Sequence, residues 1–362
     1  LTLSHGRAFG PGYRAEFTPE EAAEDVLHLA ELESPAKRRI ALSRRADDRP
    51  GEVRLRIYRR HDIIPLSETV PILENFGFRV VEEVPWELRH NGESGWIHAF
   101  RLELPAPPAD FESFAALVGA PLRAVLEGRA ENDSFNALIP GCGLGAEASN
   151  WLRAWFRYLR QTGISYGVQT VVDALRRNPE ATVALVALFR ARLSEGADEE
   201  AAAAALAAAA AALDAVEAID DDRILRLFEG VIVAMLRTNA FTPGGPEALA
   251  FKLESARVPG LPKPLPWREI WVYSPRVEGI HLRAGPIARG GLRWSDRRDD
   301  FRTEILGLMK AQVVKNSVIV PTGAKGGFYP KLLPPPSAGR DRYAAEGEAS
   351  YRIFIRALLS VT

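Results

Sequence analysis

Alternating apolar and basic side chains identify residues 53–58 as a strand with one buried face. Residues 65–77 have the apolar spacing of a short helix that ends at a glycine, and two further strand patterns follow at 78–88 and 96–104. The order strand, helix, strand, strand predicts a small α+β unit of the ferredoxin-like type over residues 51–107. The fold alone assigns no function, because such units serve as ligand sensors and as oligomer-forming modules.

Helical spacing dominates the middle of the chain, residues 108–240. Trp151, Trp155 and Tyr158 recur at intervals of three and four residues, so we expect them on one face of a helix, buried against its neighbours. The alanine-rich stretch 201–212 has a high helix propensity and little apolar bulk, which predicts an exposed helix.

Two strand patterns at 269–273 and 277–282 indicate a third folded region. The first 50 residues are mixed and contain one amphipathic helix with Thr18 as its N-cap. The sequence therefore predicts an α+β multidomain chain. Its predicted parts are a mixed segment (1–50), the α+β unit (51–107), the helical region (108–240) and the third region (241–362).

Charge and composition narrow the class of protein. The 362 residues include 46 Lys and Arg against 47 Asp and Glu, and this balance gives no general reason to expect a nucleic acid or an anionic membrane as partner. The longest apolar run, 201–213, is too short for a bilayer span of about 20 residues. No basic and apolar leader opens the chain. We therefore expect no membrane segment and a cytoplasmic location.

The single cysteine, Cys142, excludes an internal disulfide framework and a cysteine-rich metal site. The six histidines are scattered without the spacing of metal ligands, so no metal site is predicted. The chain opens without methionine and stops inside a helical pattern, which predicts that it is a piece of something longer.

A glycine-rich segment at 141–146 matches the relaxed dinucleotide-binding pattern G-x-G-x-x-A. That pattern binds a pyrophosphate when the glycine turn joins a strand to a helix and an acidic residue follows about 20 positions later. No carboxylate stands at that distance before Asp173, and Pro140 interrupts the turn. We interpret the segment as a connection between two helices, without a nucleotide site.

The residues with the clearest chemistry lie in one basic segment, 283–331. Arg289 precedes Gly290 and Gly291, and Lys325 is enclosed by glycines on both sides. Glycines leave the backbone open to a ligand and leave a neighbouring cation unobstructed.

Two lysines of this segment flank an apolar strand pattern at 318–321. Lys315 ends the preceding helical pattern, and Lys325 is expected in a glycine-rich turn after the strand, poorly solvated and suited to proton transfer. Several convergent cations without metal ligands predict a small anionic substrate with more than one carboxylate. Arginines with acidic sequence neighbours are instead expected on a solvated, salt-bridged face: Arg297, Arg298 and Arg302.

Residues 289–293, RGGLR, resemble the K-G-G-x-R segment of glutamate dehydrogenases, and 321–327, PTGAKGG, resemble their P-x-G-G-x-K-x-G active-site segment. The longer strings at 289–316 and 318–328 more specifically resemble the large bacterial NAD-dependent glutamate dehydrogenases. Further similar stretches lie at 158–163, 222–225, 236–239 and 272–279. The resemblance implies an ACT-like ferredoxin-type unit, a helical region and then the start of an α/β catalytic domain that is truncated before the NAD-binding domain.

By this resemblance Lys325 corresponds to the catalytic lysine, which helps ammonia or water to add to the imine or keto carbon. Arg289, Gly290 and Gly291 correspond to the substrate pocket, where Arg289 replaces a lysine of smaller relatives. Thr322 replaces the first glycine of the G-G-x-K pair.

A lysine that contacts the substrate carboxylate corresponds to Lys315, and Lys310 is the alternative because the spacing before Pro321 differs from that of the family. The resemblance implies NAD as cofactor and L-glutamate and 2-oxoglutarate as substrate and product. It places the catalytic aspartate and the NAD site beyond Thr362. The full-length chain is expected to be a homo-oligomer, and this chain alone is expected to be inactive.

Two other functions remain open at this point. The chain could be an amino-acid-sensing regulatory or scaffold protein built on the ACT-like unit, with the basic segment only structural. It could also be a small anion-binding module of another enzyme. The glycine-enclosed Lys325 favours the dehydrogenase, because a scaffold has no need for an uncovered lysine.

Overall fold

The computed structural model of the chain describes residues 8–32, 34, 37–90, 93–316 and 322–362. The chain divides into two compact units, residues 1–149 and residues 150–362. The strand pattern predicted at 318–321 lies outside the described residues.

The first unit is built on an antiparallel sheet with the strand order β1-β2-β4-β3. Its strands are β1 (Arg39–Ser43), β2 (Glu52–Arg60), β3 (Arg79–His90) and β4 (Glu93–Glu103). Its described helices are α1 (Pro11–Glu16), α2 (Pro19–Ala30), α3 (Leu66–Asn75), α4 (Phe111–Leu126) and α5 (Leu138–Cys142), with a 3-10 turn at Ser134–Ala137. The predicted order of strand, helix, strand and strand is confirmed by β2, α3, β3 and β4. The edge strand β1 was not predicted.

One face of this sheet holds the apolar core of the unit. Alternate residues of β2 share a face, so Val53, Leu55 and Ile57 pack together with Leu73 of α3 and Val118 of α4. The helix predicted at Thr18 is also confirmed, since the Thr18 hydroxyl accepts a hydrogen bond from the Glu21 amide and the Glu21 carboxylate accepts one from the Thr18 amide.

The opposite face of the sheet carries a buried polar cluster around Asp25 of α2. Tyr58 Oη donates to Asp25 Oδ1 over 2.6 Å, Arg56 Nη1 donates to the same oxygen over 2.9 Å, and Tyr13 Oη donates to Oδ2. Burial, reinforced by Asp25, raises the pKa of both Tyr13 and Tyr58, so both hydroxyls stay protonated as donors.

The second unit opens with a set of helices. They are α6 (Ala146–Thr162), in which the unit begins, α7 (Val168–Arg177), α8 (Pro179–Leu193), α9 (Glu199–Asp214) and α10 (Ile219–Ala234). Trp151, Trp155 and Tyr158 are buried along α6, which confirms the predicted packing stripe. The alanine-rich α9 is mostly exposed, as its composition predicts.

A mixed sheet forms the rest of this unit, in the order β10-β11-β8-β7-β6-β5, with β9 also paired to β11. Its strands are β5 (Met235–Thr238), β6 (Leu249–Leu253), β7 (Arg268–Tyr273), β8 (Val277–Arg283), β9 (Ala288–Arg289), β10 (Leu292–Trp294) and β11 (Thr322–Pro330), and a 3-10 turn at Ser255–Arg257 follows β6. The predicted strands at β7 and β8 are confirmed. Within the predicted helical region 108–240 the last helix ends at Ala234, because the chain there pairs with β6.

Two helices cover opposite faces of this sheet: α11 (Phe301–Asn316) and α12 (Arg340–Ser360), the second preceded by a 3-10 turn at Pro336–Ala338. Phe354 of α12 stacks on Phe328 of β11, with ring centroids 5.8 Å apart, and Phe301 of α11 stacks on Trp271 of β7 at 5.9 Å. None of the helices that the structure describes is long and apolar enough to cross a membrane.

Candidate active site

Lys325 lies within strand β11 and not in the turn that its glycine neighbours predicted. The glycines serve close packing of the sheet instead. A Cβ on Gly326 would lie 2.4 Å from a methyl of Leu292, and one on Gly327 would lie 2.4 Å from a methyl of Ile305. Because these glycines have no side chains, β10 and α11 come close to β11 on either side of the lysine.

The segment 288–294 runs parallel to β11 as β9 and β10, with Arg289 opposite Gly323 and Leu292 opposite Gly326. Between these two pairings the backbones are crowded. A Cβ on Gly290 would lie 1.5 Å from the carbonyl oxygen of Ala324, so this position requires glycine.

Gly291 stands beside the lysine itself. Its carbonyl oxygen accepts a hydrogen bond of 3.1 Å from the Gly326 amide, and a Cβ placed on it would lie 3.7 Å from Lys325 Nζ. The structure therefore brings together two segments that are more than thirty residues apart in the chain, and their meeting point is the ammonium group of Lys325.

The two other candidate lysines belong to α11. Lys310 is exposed on this helix, and Lys315 lies in its last turn with a side chain outside the described part of the chain. Helix α11 packs along β11, with Ile305 against Gly327. The described contacts thus join Arg289, Gly290, Gly291 and Lys325, and place Lys310 and Lys315 on the helix that covers the same strand.

Arg302 corrects one expectation from the sequence. It was expected on a solvated face, yet its side chain is fully buried and forms two hydrogen bonds with Glu269 of β7: Nε to Oε2 at 2.9 Å and Nη2 to Oε1 at 3.2 Å. No local pattern signals this burial, because the partner carboxylate comes from a strand 33 residues earlier and not from the acidic neighbours. Arg297 does follow the prediction and pairs with Asp300 at the surface.

The buried pair lies on the face of the sheet that carries Lys325. Lys325 is directly opposite Leu282 of β8, and Leu282 is directly opposite Glu269 of β7, so the three side chains share one face. The Arg302 amide also donates to Gln161 Oε1 over 3.1 Å. Arg302 thereby fixes the first turn of α11 to the sheet beside the candidate site.

A second ion cluster fixes α6 to the same face. Glu278 of β8 is fully buried and accepts hydrogen bonds from Arg157 Nε at 2.9 Å and Nη2 at 3.0 Å. Lys331 Nζ lies 3.4 Å from Glu278 Oε1. Because two cations surround one buried carboxylate, its charge is compensated and the cluster is structural.

The other face of β11 holds His281 beside Gly326, its partner on β8. Burial, together with the charge of Arg283, lowers the pKa of His281 to about 4. His281 is therefore neutral near pH 7.

The glycine-rich segment 141–146 joins two helices, as predicted. Cys142 ends α5, Gly143 takes the left-handed conformation with φ of 64°, and α6 begins at Ala146. A dinucleotide needs a strand before the glycine turn, so these residues do not fit NAD, and no step of the chemistry is assigned to a cofactor within this chain. Within the described ranges no group of three or more metal-ligating side chains gathers.

Comparisons with known proteins agree with the order of these parts. Four family models match successive segments of the chain. They are "Glutamate dehydrogenase, helical motif 2" at 1–32, "Glutamate dehydrogenase, ACT3 domain" at 37–114, "Glutamate dehydrogenase, helical motif 3" at 130–195, and "Bacterial NAD-glutamate dehydrogenase, catalytic domain" at 208–362.

Three similar proteins carry the name NAD-specific glutamate dehydrogenase. The relative from Halomonas elongata is 43% identical over 100% of this chain, that from Pseudomonas aeruginosa 41% over 98%, and that from Mycobacterium tuberculosis 42% over 99%. In each case the chain spans only 23% of the relative's own length.

Proposed function

The chain belongs to the family of the large bacterial NAD-dependent glutamate dehydrogenases, and we propose that the full-length protein oxidatively deaminates L-glutamate. The products are 2-oxoglutarate and ammonia, water supplies the keto oxygen, and NAD⁺ accepts the hydride. The observation that carries the proposal is the meeting of Gly291 with the ammonium group of Lys325, 3.7 Å from a Cβ built on that glycine.

Lys325 is the proposed catalytic residue. Its side chain projects from a strand held on both sides by neighbouring strands, so the sheet fixes the face and the position from which the amine reaches the substrate. A lysine fixed in this way can hold a proton near the amino-bearing carbon and exchange it with the water or ammonia that adds there. The open space at Gly291 leaves room for the substrate backbone beside it.

The proposed substrate-binding residues are Arg289, Gly290 and Gly291, together with Lys315 or Lys310. Glutamate has two carboxylates, and cations on β9 and α11 flank the strand that carries Lys325, which suits an anion with two charged ends. Arginine binds a carboxylate with two parallel hydrogen bonds, whereas lysine acts as a point charge.

We further propose the four-part division at residues 1–50, 51–107, 108–240 and 241–362, with the last part as the start of the α/β catalytic domain. The NAD site and the catalytic aspartate belong to parts of the full-length protein beyond this chain. Cytoplasmic location and homo-oligomeric assembly of the full-length protein complete the proposal, and the chain alone is expected to be inactive.

The geometry does not favour an amino-acid sensor in the ACT-like unit. A cavity of about 140 Å³ opens on its sheet and is lined by Arg54, Arg56 and Arg101 among others. These arginines are already paired, with Asp48, with Asp25 and Glu21, and with Glu82 respectively. An incoming carboxylate would have to displace these internal partners.

The test is reduction of NAD⁺ with L-glutamate by the full-length protein, compared with its Lys325→Ala variant. We expect kcat to fall by about 10²–10⁴-fold, the range for loss of a proton-transferring group. Lys37→Ala, at an exposed lysine of the first unit, is the matched control and should leave the rate unchanged. Circular dichroism checks that each variant is folded. A folded Lys325→Ala protein with the original rate, or no activity with glutamate, would contradict the proposal.

A further inference from the structure

Four cations line up on the face of the second sheet that is turned away from Lys325. Arg237 of β5 is directly opposite Lys252 of β6, and Arg268 of β7 is directly opposite Arg283 of β8. Lys252 is also directly opposite Ile270, two residues along β7 from Arg268, so the two pairs adjoin on one face. We name these four residues the cationic face.

Like charges directly opposite each other destabilise a sheet. At Lys252, burial and then the charges of Arg237, Arg283 and Arg268 lower the pKa of the ammonium group. Among the described residues no carboxylate pairs with Lys252. The fold therefore holds two adjoining like-charge pairs. Arg268 has a carboxylate partner in Glu254, whereas an anion would relieve the repulsion at Lys252.

The internal partners of the cationic face compensate only part of its charge. Arg268 Nη1 donates to Glu254 Oε1 over 2.9 Å, so a carboxylate balances the charge of this arginine. Arg283 Nη2 and Arg237 Nη1 instead donate to backbone carbonyls, those of Pro286 at 2.8 Å and Thr362 at 3.2 Å. Arg283 Nε is buried and makes no hydrogen bond. The donors open to a ligand are those of the exposed Arg237 and the half-buried Lys252.

We propose that the cationic face binds a small phosphate-bearing anion of the diphosphate type, at a site separate from the one at Lys325. Arg283 and Lys325 adjoin in the sheet but belong to opposite faces, because Arg283 is opposite Ala324 and successive residues of a strand point to opposite sides. A diphosphate carries several negative charges on a short span, and arginine forks and a lysine point charge are the groups that bind phosphate oxygens. A dicarboxylate of one charge at each end matches four clustered cations less well.

Isothermal titration calorimetry of the full-length protein with inorganic pyrophosphate tests this site. NAD⁺ is present at saturation, so that any dinucleotide site is already filled. We expect saturable one-to-one binding that Lys252→Met weakens by about tenfold or more, as for the loss of a hydrogen bond to a charged group. Lys37→Met is the control for the loss of a lysine elsewhere, and Lys325→Ala should bind pyrophosphate unchanged, which separates this site from the proposed function.

Thermal unfolding is the second measurement, because the loss of a lysine that only stabilises the fold would lower the melting temperature. Without anion, Lys252→Met should not lower the melting temperature, because the variant removes a positive charge that is repelled by neighbouring cations. Pyrophosphate should raise the melting temperature of the unaltered protein and not that of the variant. ADP in place of pyrophosphate identifies the source of the phosphate: equal affinity indicates the phosphates alone, and higher affinity indicates a nucleotide.

Three results would overturn the proposal. They are the absence of saturable pyrophosphate binding, pyrophosphate binding that survives Lys252→Met unchanged, and glutarate binding as tight as that of pyrophosphate and equally weakened by Lys252→Met. The last result would assign the cationic face to a dicarboxylate.

Discussion

Arg302 Nε donates a hydrogen bond of 2.9 Å to Glu269 Oε2, and neither side chain is exposed to solvent. A buried pair gains little over apolar residues of the same size, but the loss of one partner leaves the other charged and uncompensated. The intact pair therefore adds little net stability, but the loss of either partner alone weakens the attachment of α11 to the sheet.

Arg302→Met should accordingly lower the free energy of unfolding by about 3–5 kcal/mol. The double variant Glu269→Met with Arg302→Met should recover most of that loss, since both charges are then gone. Arg297→Met, which breaks an exposed pair just before the same helix, should cost at most about 1 kcal/mol. Urea denaturation of the full-length protein measures all three. A double variant as unstable as the single one would show that Arg302 acts through packing and not through charge.

Gly290→Ala should disrupt the site by backbone crowding. Its Cβ would fall 1.5 Å from the carbonyl oxygen of Ala324, so β9 and β10 must move away from β11, and we expect at least about 100-fold loss of kcat/KM, as for a misplaced catalytic group. Gly307→Ala in α11 is the matched control. Nothing lies within 4 Å of its Cβ, so alanine should raise stability by about 1 kcal/mol and spare activity. An active Gly290→Ala protein would contradict this pairing of the strands.

His281 should make stability depend on pH in a defined window. Its pKa in the folded protein, about 4, lies below its ordinary value of 6.5, so the folded state favours the neutral imidazole. This contribution is complete above pH 6.5 and is lost as pH falls towards 4, by about 3 kcal/mol in all. His281→Gln should flatten the fall of the melting temperature between these values, whereas His61→Asn, at an exposed histidine, should leave it unchanged. A wild-type slope in the His281 variant would exclude this group as its source.

Asp25 should be the most sensitive polar position of the first unit. It is fully buried and accepts hydrogen bonds from Tyr13, Arg56 and Tyr58. Asp25→Ala leaves two tyrosine hydroxyls without their acceptor and Arg56 with Glu21 as its remaining partner, and should cost about 3–5 kcal/mol. Tyr58→Phe removes one donor and should cost about 1–2 kcal/mol. A double-mutant cycle by thermal unfolding measures their coupling, and strictly additive effects would mean that the Tyr58 bond to Asp25 contributes nothing.

Local patterns were sufficient for several of the helices and strands and for the segment around Lys325. The alternation at 53–58 predicts β2, the spacing of Trp151 and Trp155 predicts the buried stripe of α6, and the strings around Arg289 and Lys325 identify the family. Each of these depends on periodicity or on residues close together in the chain, which is information that a sequence carries directly.

The short strands at the sheet edges were not predicted from the sequence. Strands β1, β9 and β10 are five residues or fewer in the structure, and their pairing comes from β2 and β11 and not from their own pattern. The expectation that Lys325 lies in a turn is wrong for a related reason. Glycines signal turns locally, whereas here they allow neighbouring strands and a helix to approach.

The chain by itself determined the candidates for the chemistry, namely a glycine-enclosed lysine and a glycine-flanked arginine in a basic segment. Only the tertiary structure decided their relationships: Gly291 beside Lys325, Arg302 buried against Glu269, and Arg237 opposite Lys252. These depend on which strand lies next to which and in what register, and that is set by packing between segments distant in sequence.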